Sequence, residues 1–455
     1  MTLQFKHLGH PMLDQFLLDP DWKNFNHGAY GTYPKTVQAE LRNFQDLTEA
    51  RPDKFIRHQY PDYLNASRAE LSRYLNVPVN ELVLVKSATV AINTVLRNLT
   101  FTPQDTILYF STIFDACEKT IHSVMEITPL TARKIEVTFP ISHDEIVARF
   151  RATIQQVRAE GGNVRIALFD TISSAPGVRF PFERLVRICR EENILSCVDG
   201  AHGIGQIPLD LGELDADFFV SMTHKWLYNP RGCSIFHVPT RNQHLIRTTI
   251  PTSHCFIPKG HSAAAASATE KHAPNKSPFE LLFQNVATTD DTPYLTAPAA
   301  LKFRAQIPGG EEAIFTYIRE IAFEGGNLVA QILGTEVLGE GLADGRLCRV
   351  RECGFANVRL PFLVLDSGKV AGDGLKGESQ WPVLSPSQAV AVARWMQERL
   401  VAEYSTSVTA LVHNSALWAR ISGQIYLEMG DFQWLGQALK ELCDRVGSDL
   451  DGVVG

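Results

Sequence analysis

Two strand-like runs in this chain end in residues that together could hold and activate an aldehyde cofactor. The first, Ile194-Leu195-Ser196-Cys197-Val198, closes on Asp199 and continues as Gly200-Ala201-His202. The second, Phe218-Phe219-Val220-Ser221-Met222, leads into Thr223-His224-Lys225. An ammonium at the end of an apolar strand is unusual, because burying an unpaired charge is costly. Asp199, 26 residues before Lys225 (225 − 199), offers an explanation. Pyridoxal phosphate needs an anion that keeps its ring nitrogen protonated and an amine that condenses with its aldehyde. Taken singly, Asp199 reads better as a turn cap and Lys225 as a solvated strand end; the pair favours the cofactor.

Other residues would complete such a site. His202 could stack on the ring or hydrogen-bond its substituents, and His224 could do the same or merely pack. Lys86-Ser87-Ala88-Thr89-Val90 joins a strand to an amphipathic helix, where backbone N–H groups and the Thr89 hydroxyl suit a phosphate; a plain helix cap is the alternative. Thr223 draws its interest from its closeness to Lys225. Arg420, in Leu417-Trp418-Ala419-Arg420-Ile421-Ser422, could clamp a substrate carboxylate through its planar fork. Asn26-His27-Gly28-Ala29-Tyr30-Gly31 is a glycine-punctuated turn that a ligand could approach closely. Cys117 is the one cysteine predicted to lie near the cofactor.

These residues need a scaffold of βα units. Short β-type runs recur at Leu82 to Val85, Ile107 to Phe110, Ile135 to Phe139, Val164 to Phe169, Ile194 to Val198, Phe218 to Ser221 and Cys233 to Val238. They predict one mainly parallel seven-stranded sheet of an α/β fold. Ala88 to Leu99, Ile146 to Glu160 and Pro181 to Glu192 have helical length and period. Residues 261–276 read as a surface loop or a lid. Pro308-Gly309-Gly310 marks a joint, giving an N-terminal segment over 1–25, a large domain over 26–307 and a smaller C-terminal α+β domain over 308–455. In the last, Ser385 to Glu403 and Phe432 to Val446 predict helices around a strand at Ile421 to Leu427.

The 455 residues suit two domains, and a net charge of −7 disfavours nucleic-acid and anionic-membrane partners. No run approaches the ~20 apolar residues of a membrane helix, and no signal-peptide core is evident, so the cytosol is the expected compartment. The eight cysteines show no metal-ligand spacing, and no metal is expected.

The combination resembles the fold-type I pyridoxal phosphate enzymes of the aminotransferase class V group, relatives of cysteine desulfurases and isopenicillin N epimerase. The resemblance runs from Asn26-His27-Gly28 to Arg420-Ile421-Ser422. It implies Lys225 as the lysine bonded to the cofactor, Asp199 on the ring nitrogen and His202 near the ring oxygen. Ala88, Thr89, Thr223 and His224 would serve the phosphate, and His27, Gly28 and Arg420 the substrate. It also implies a homodimer in which Thr288, in Val286-Ala287-Thr288-Thr289-Asp290, completes the neighbour's phosphate site. Within the group the likeness is greatest to fungal loline-type and hercynylcysteine sulfoxide lyase-type enzymes, through Glu49-Ala50-Arg51-Pro52, Thr94-Val95-Leu96-Arg97-Asn98, Pro176-Gly177-Val178-Arg179-Phe180-Pro181-Phe182 and Pro230-Arg231-Gly232-Cys233.

Two departures from the sulfoxide lyase pattern bear on the reaction. Phe114 stands where a tyrosine is expected and Lys134 where a proton-donating cysteine is expected. Phenylalanine can stack on a ring but cannot donate a proton to a departing sulfur. The expectation is therefore a small-molecule reaction of loline type: loss of an α-substituent from an amino acid, departure of a γ-group and closure to a pyrrolizidine. C–S bond cleavage and epimerisation are the alternatives. A non-catalytic scaffold is disfavoured by the joint presence of Asp199, Lys225 and Arg420.

Overall fold

A computed structural model describes residues 7–252, 256, 258, 276–339, 349–365, 381–450 and 452. The loop expected over 261–276 lies outside them apart from Lys276. Seven strands form the main sheet: β1 (Leu82–Val85), β2 (Asp105–Phe110), β3 (Thr131–Ile135), β4 (Asn163–Asp170), β5 (Leu195–Asp199), β6 (Phe218–Met222) and β7 (Ser234–His237), in the order β1-β7-β6-β5-β4-β2-β3. Strands β6-β5-β4-β2-β3 run parallel, whereas β7 pairs antiparallel with both β6 and β1.

Successive residues of the central strands feed opposite sides of the sheet. Ile107, Tyr109, Ile166 and Leu168 pack into one apolar cluster; Leu108, Phe110, Ala167 and Phe169 pack into the other. This two-sided burial explains the nearly unbroken apolar runs, since a parallel sheet covered on both faces has no solvated side. Helices α1 (His27–Tyr30), α2 (Ala88–Asn98), α3 (Asp115–Met125), α4 (His143–Ala159), α5 (Phe182–Glu191) and α6 (Thr223–Trp226) belong to this region. Ser87 caps α2 by accepting from the Val90 N–H at 3.2 Å, and Ser142 caps α4 by accepting from Glu145 at 3.1 Å.

A second, antiparallel sheet is built by β8 (Phe355–Arg359), β9 (Thr409–His413) and β10 (Ala416–Ser422), with β10 in the middle. Helices α7 (Gly310–Leu333), α8 (Pro386–Tyr404) and α9 (Met429–Ser448) accompany it. Gly309 and Gly310 open α7 at φ of +85° and +57°, backbone that favours glycine. The N-terminal segment folds onto this region: the Gly9 N–H bonds the Ile425 carbonyl at 2.7 Å, and Lys23 pairs with buried Asp431 at 2.8 Å.

Two strand expectations shift. The third strand is Thr131–Ile135 rather than 135–139. It is the sheet's edge, so its Thr-Ala-Arg-Lys sequence tolerates one solvated side, while Val137 and Phe139 enter the core from the following loop. The C-terminal strand is Ala416–Ser422 rather than 421–427, because the chain leaves the sheet at Gly423. A Cβ there would sit 2.5 Å from the Ile318 carbonyl.

Candidate active site

Strands β4, β5 and β6 end side by side, and their last residues form the floor of the site. Asp199 ends β5 and Asp170 ends β4 directly opposite it in register. Lys225 lies in the one-turn helix α6 that follows β6. Ligands collect at this carboxyl edge of parallel sheets. Asp199 is 3% exposed; its Oδ1 accepts from the Ala201 N–H at 2.9 Å and its Oδ2 from the Cys117 thiol at 3.4 Å. Burial raises its pKa, with Lys225 opposing. Burial also pushes the Cys117 thiol far up, so it stays protonated and acts as the donor.

The Lys225 amine meets His202 Nε2 at 3.0 Å. Burial brings the lysine pKa down to about 8, against the pull of Asp199 and with help from the Arg420 charge. A buried amine that deprotonates near neutrality is what a carbonyl-condensing lysine requires. His202 is buried and held well below the ordinary histidine range by burial, then by Lys225 and Arg420. His224 is depressed to about 4 by burial, Lys225 and Arg231, and its Nδ1 is enclosed without a partner.

Arg420, on β10, is 3% exposed. Its guanidinium donates to the Ser174 carbonyl and hydroxyl, to Asn26 Oδ1 at 3.3 Å and to the Thr409 hydroxyl at 3.1 Å, and lies over the Phe355 ring at 4.6 Å. All these partners are neutral. Burial without a counter-ion lowers its pKa to about 10, and its Nε is enclosed and unpaired. An incoming carboxylate would supply the missing charge.

The residues fit pyridoxal phosphate. Asp199 Oδ2 is held only by a weak thiol donor and can accept a stronger one from a ring N–H. Half-buried Thr89 is the second residue of α2, where the N–H groups of the first turn lack carbonyl partners within the helix. Phe114, just before α3, leaves 47% of its surface exposed and so has a free aromatic face.

Several expected roles change. Thr223 is fully buried; its hydroxyl donates to the Cys233 carbonyl at 2.8 Å and accepts from Asn229 at 3.3 Å. It braces β6 against the chain entering β7 and has no proton left for a phosphate. His27 is 1% exposed, packed among Trp226, Tyr228 and Tyr426, with Nδ1 at 2.9 Å from the Tyr426 hydroxyl. Gly28 lies so close to Phe355 that a Cβ would come within 2.4 Å of its ring. These two are packing residues here rather than open substrate contacts. Lys134 sits on edge strand β3, three strands and roughly 14 Å from β5, paired with Glu118 at 2.6 Å; it does not join the site. Thr288 is exposed, and Asp290 and Asp291 tie its segment to Lys86.

The structure adds Asp170 and Phe355. Asp170 is 4% exposed, its Oδ2 is enclosed without a partner, and burial beside Asp199 drives its pKa well up. Phe355, at the start of β8, touches the His202, Trp226 and Arg420 side chains at once and joins the two sheets.

The sequence profile of the Aminotransferase class-V family matches residues 32–259. The chain is also 39% identical over 98% of its length to the L-cysteine desulfhydrase-like protein lolT1 of Epichloe uncinata, covering 98% of that protein. The chain belongs to the aminotransferase class V family. It is therefore an enzyme that uses pyridoxal phosphate. The chain is also similar to hercynylcysteine sulfoxide lyase of Schizosaccharomyces pombe, 27% identical over 96% of this chain and 98% of that protein. The C–S lyase C-DES, solved with glycine covalently linked to its pyridoxal phosphate, superposes with a TM-score of 0.68 at 17% identity, over 93% of this chain and 97% of that one. That likeness shows the fold-type I architecture. No helix among the described residues is long and apolar enough to cross a membrane.

Proposed function

We propose that the enzyme acts at the α-carbon of an amino acid whose carboxylate docks on Arg420, and that Lys225 carries the cofactor. The observation that supports this most is the buried guanidinium of Arg420 with neutral partners alone. When bound, pyridoxal phosphate supplies an electron sink that lets a bond to the α-carbon break. Asp199 holds the charge opposite the ring nitrogen; Ala88, Thr89 and His224 serve the phosphate; Phe114 covers the ring. Lys225 Nζ, neutral above about pH 8, takes up and returns protons beside the α-carbon. Thr288 reaches the neighbouring phosphate site of a homodimer.

The reaction we favour is of loline type: loss of the α-carboxyl group or α-proton leaves an electron pair on the α-carbon, which attacks the carbon of an iminium carried by the substrate's γ-nitrogen, and the new C–C bond neutralises the iminium and closes a 1-aminopyrrolizidine. Two things support it, the 39% identity to lolT1 across both chains and an aromatic Phe114 that offers no acid. Incubation with an amino acid whose γ-nitrogen already belongs to a 1-pyrrolinium ring should give a bicyclic amine by mass spectrometry, with carbon dioxide where the carboxyl group is the group lost; no bicyclic amine appearing would overturn it. C–S bond cleavage is the second reading, favoured by the names of the relatives. It would instead yield pyruvate and ammonia from cysteine S-conjugates. Epimerisation would show as deuterium uptake without other change of mass.

A further inference from the structure

We infer that Trp226 is a positioning residue that, through the tautomer it imposes on His202, holds the Lys225 amine in its neutral, nucleophilic form for capture of the cofactor aldehyde. The inference rests on the assignment of Lys225 as the cofactor lysine, and nothing above gives Trp226 a role.

Four atoms carry the argument. Trp226 Nε1 lies 3.4 Å from His202 Nδ1, and His202 Nε2 lies 3.0 Å from Lys225 Nζ. An indole N–H donates and never accepts, so Nδ1 must be the acceptor. A neutral imidazole has a single ring proton, which is then on Nε2, facing the lysine. Lys225 Nζ has to accept that proton's hydrogen bond, and only a neutral amine has a lone pair to do so. An ammonium here would leave two N–H groups head to head or force His202 to turn away from the indole.

The chain is held in place on every side. Trp226 is fully buried, its ring edge-on to Phe355 at 5.3 Å, and His202 is edge-on to the same ring at 5.3 Å. A Cβ on Gly28 or on Gly354 would come within 3.0 or 3.1 Å of the indole, so these glycines shape its slot. Arg304 Nη1 fixes the Trp226 carbonyl at 2.8 Å. The His202 carbonyl accepts from Gln206 Nε2 at 2.9 Å, whose Oε1 accepts from the Gly354 N–H at 2.8 Å. The remaining charged and titratable groups facing Lys225 are Asp199, Asp170, Cys117, Arg420 and His224. The two carboxyl groups favour an ammonium, so the histidine bond and the Arg420 charge work against them.

Capture of the aldehyde forms a C–N bond and releases one water, and it needs the amine lone pair. Replacing Trp226 by Phe keeps the ring and removes the donor. His202 is then free to present an unprotonated nitrogen to an ammonium, so the lysine pKa should rise by about one unit, a change of tenfold in the neutral fraction near neutrality. The test mixes full-length cofactor-free protein with pyridoxal phosphate and follows visible absorbance against pH, while ¹⁵N NMR reports the His202 tautomer. Wild type should show the Nε2–H tautomer, and Trp226→Phe should capture the cofactor about tenfold more slowly at pH 7 with its profile displaced upward. The wild-type tautomer decides the question should Trp226→Phe fail to fold. An Nδ1–H tautomer in wild type or an unmoved profile in Trp226→Phe overturns the inference. The NMR result stands apart from cofactor binding: protein with the Nε2–H tautomer that never captures the cofactor contradicts the Lys225 assignment instead.

Discussion

Lys134 lies on the edge strand of the main sheet and Lys225 in the turn of helix that follows its central strand β6, each near carboxylates, and the two positions treat them oppositely. Lys134, at the edge, pairs with Glu118 at 2.6 Å in partial contact with water, and that hydrogen bond raises its pKa. Lys225, at the centre, is buried near two carboxyl groups yet falls to about 8, because loss of hydration outweighs their attraction. A carboxylate nearby does not by itself keep a lysine charged; depth in the sheet decides. The same contrast separates Arg420, buried among neutral partners, from the many exposed arginine–carboxylate pairs such as Arg151–Glu191.

The largest test removes the central amine. Lys225→Ala should cut turnover by roughly 10² to 10⁴-fold, measured as product released per minute at saturating cofactor; a variant within tenfold of wild type would break the contrast. Arg420→Gln comes next. Losing one partner of a buried charge pair costs about 2–5 kcal/mol, so KM for the amino acid should rise roughly thirtyfold or more, while cofactor absorbance persists.

The pH dependence sharpens the comparison. Because the folded pKa of Lys225 lies below that of a free lysine, the unfolded chain binds more protons between about 8 and 10.5, so this group's contribution to stability increases as pH rises through that window. Cofactor capture should climb as pH approaches about 8 and level off above it. A capture rate still rising tenfold per unit at pH 10 would contradict the depressed pKa. The smallest effect belongs to Lys134→Met. Its pair is partly solvated, so the loss should be under ~1 kcal/mol in denaturant melts, with turnover within about twofold.

Much of the fold was legible because two-sided burial leaves apolar runs with turn residues at their ends. Asp199 and Lys225 stood out because their chemistry is incongruous at such ends. Asp170 closes a strand in the same way, but no second residue marked it; only the β4–β5 register shows it beside Asp199. Phe355 was invisible, since its importance comes from touching three residues of distant sequence. Thr223 misled because a sequence does not show that its hydroxyl is spent on Cys233 across a neighbouring strand. Lys134 drew notice only as the residue standing where the sulfoxide lyase pattern expects a cysteine, and such a match does not show that the side chain is spent on Glu118 at the sheet edge.

The most direct test asks which lysine bears the cofactor. Borohydride reduction of the cofactor-loaded protein, followed by peptide mass mapping, should find the pyridoxyl phosphate mass on Lys225 and leave Lys134 unmodified. The mass on Lys134 or on any other lysine, with Lys225 free, would contradict the account.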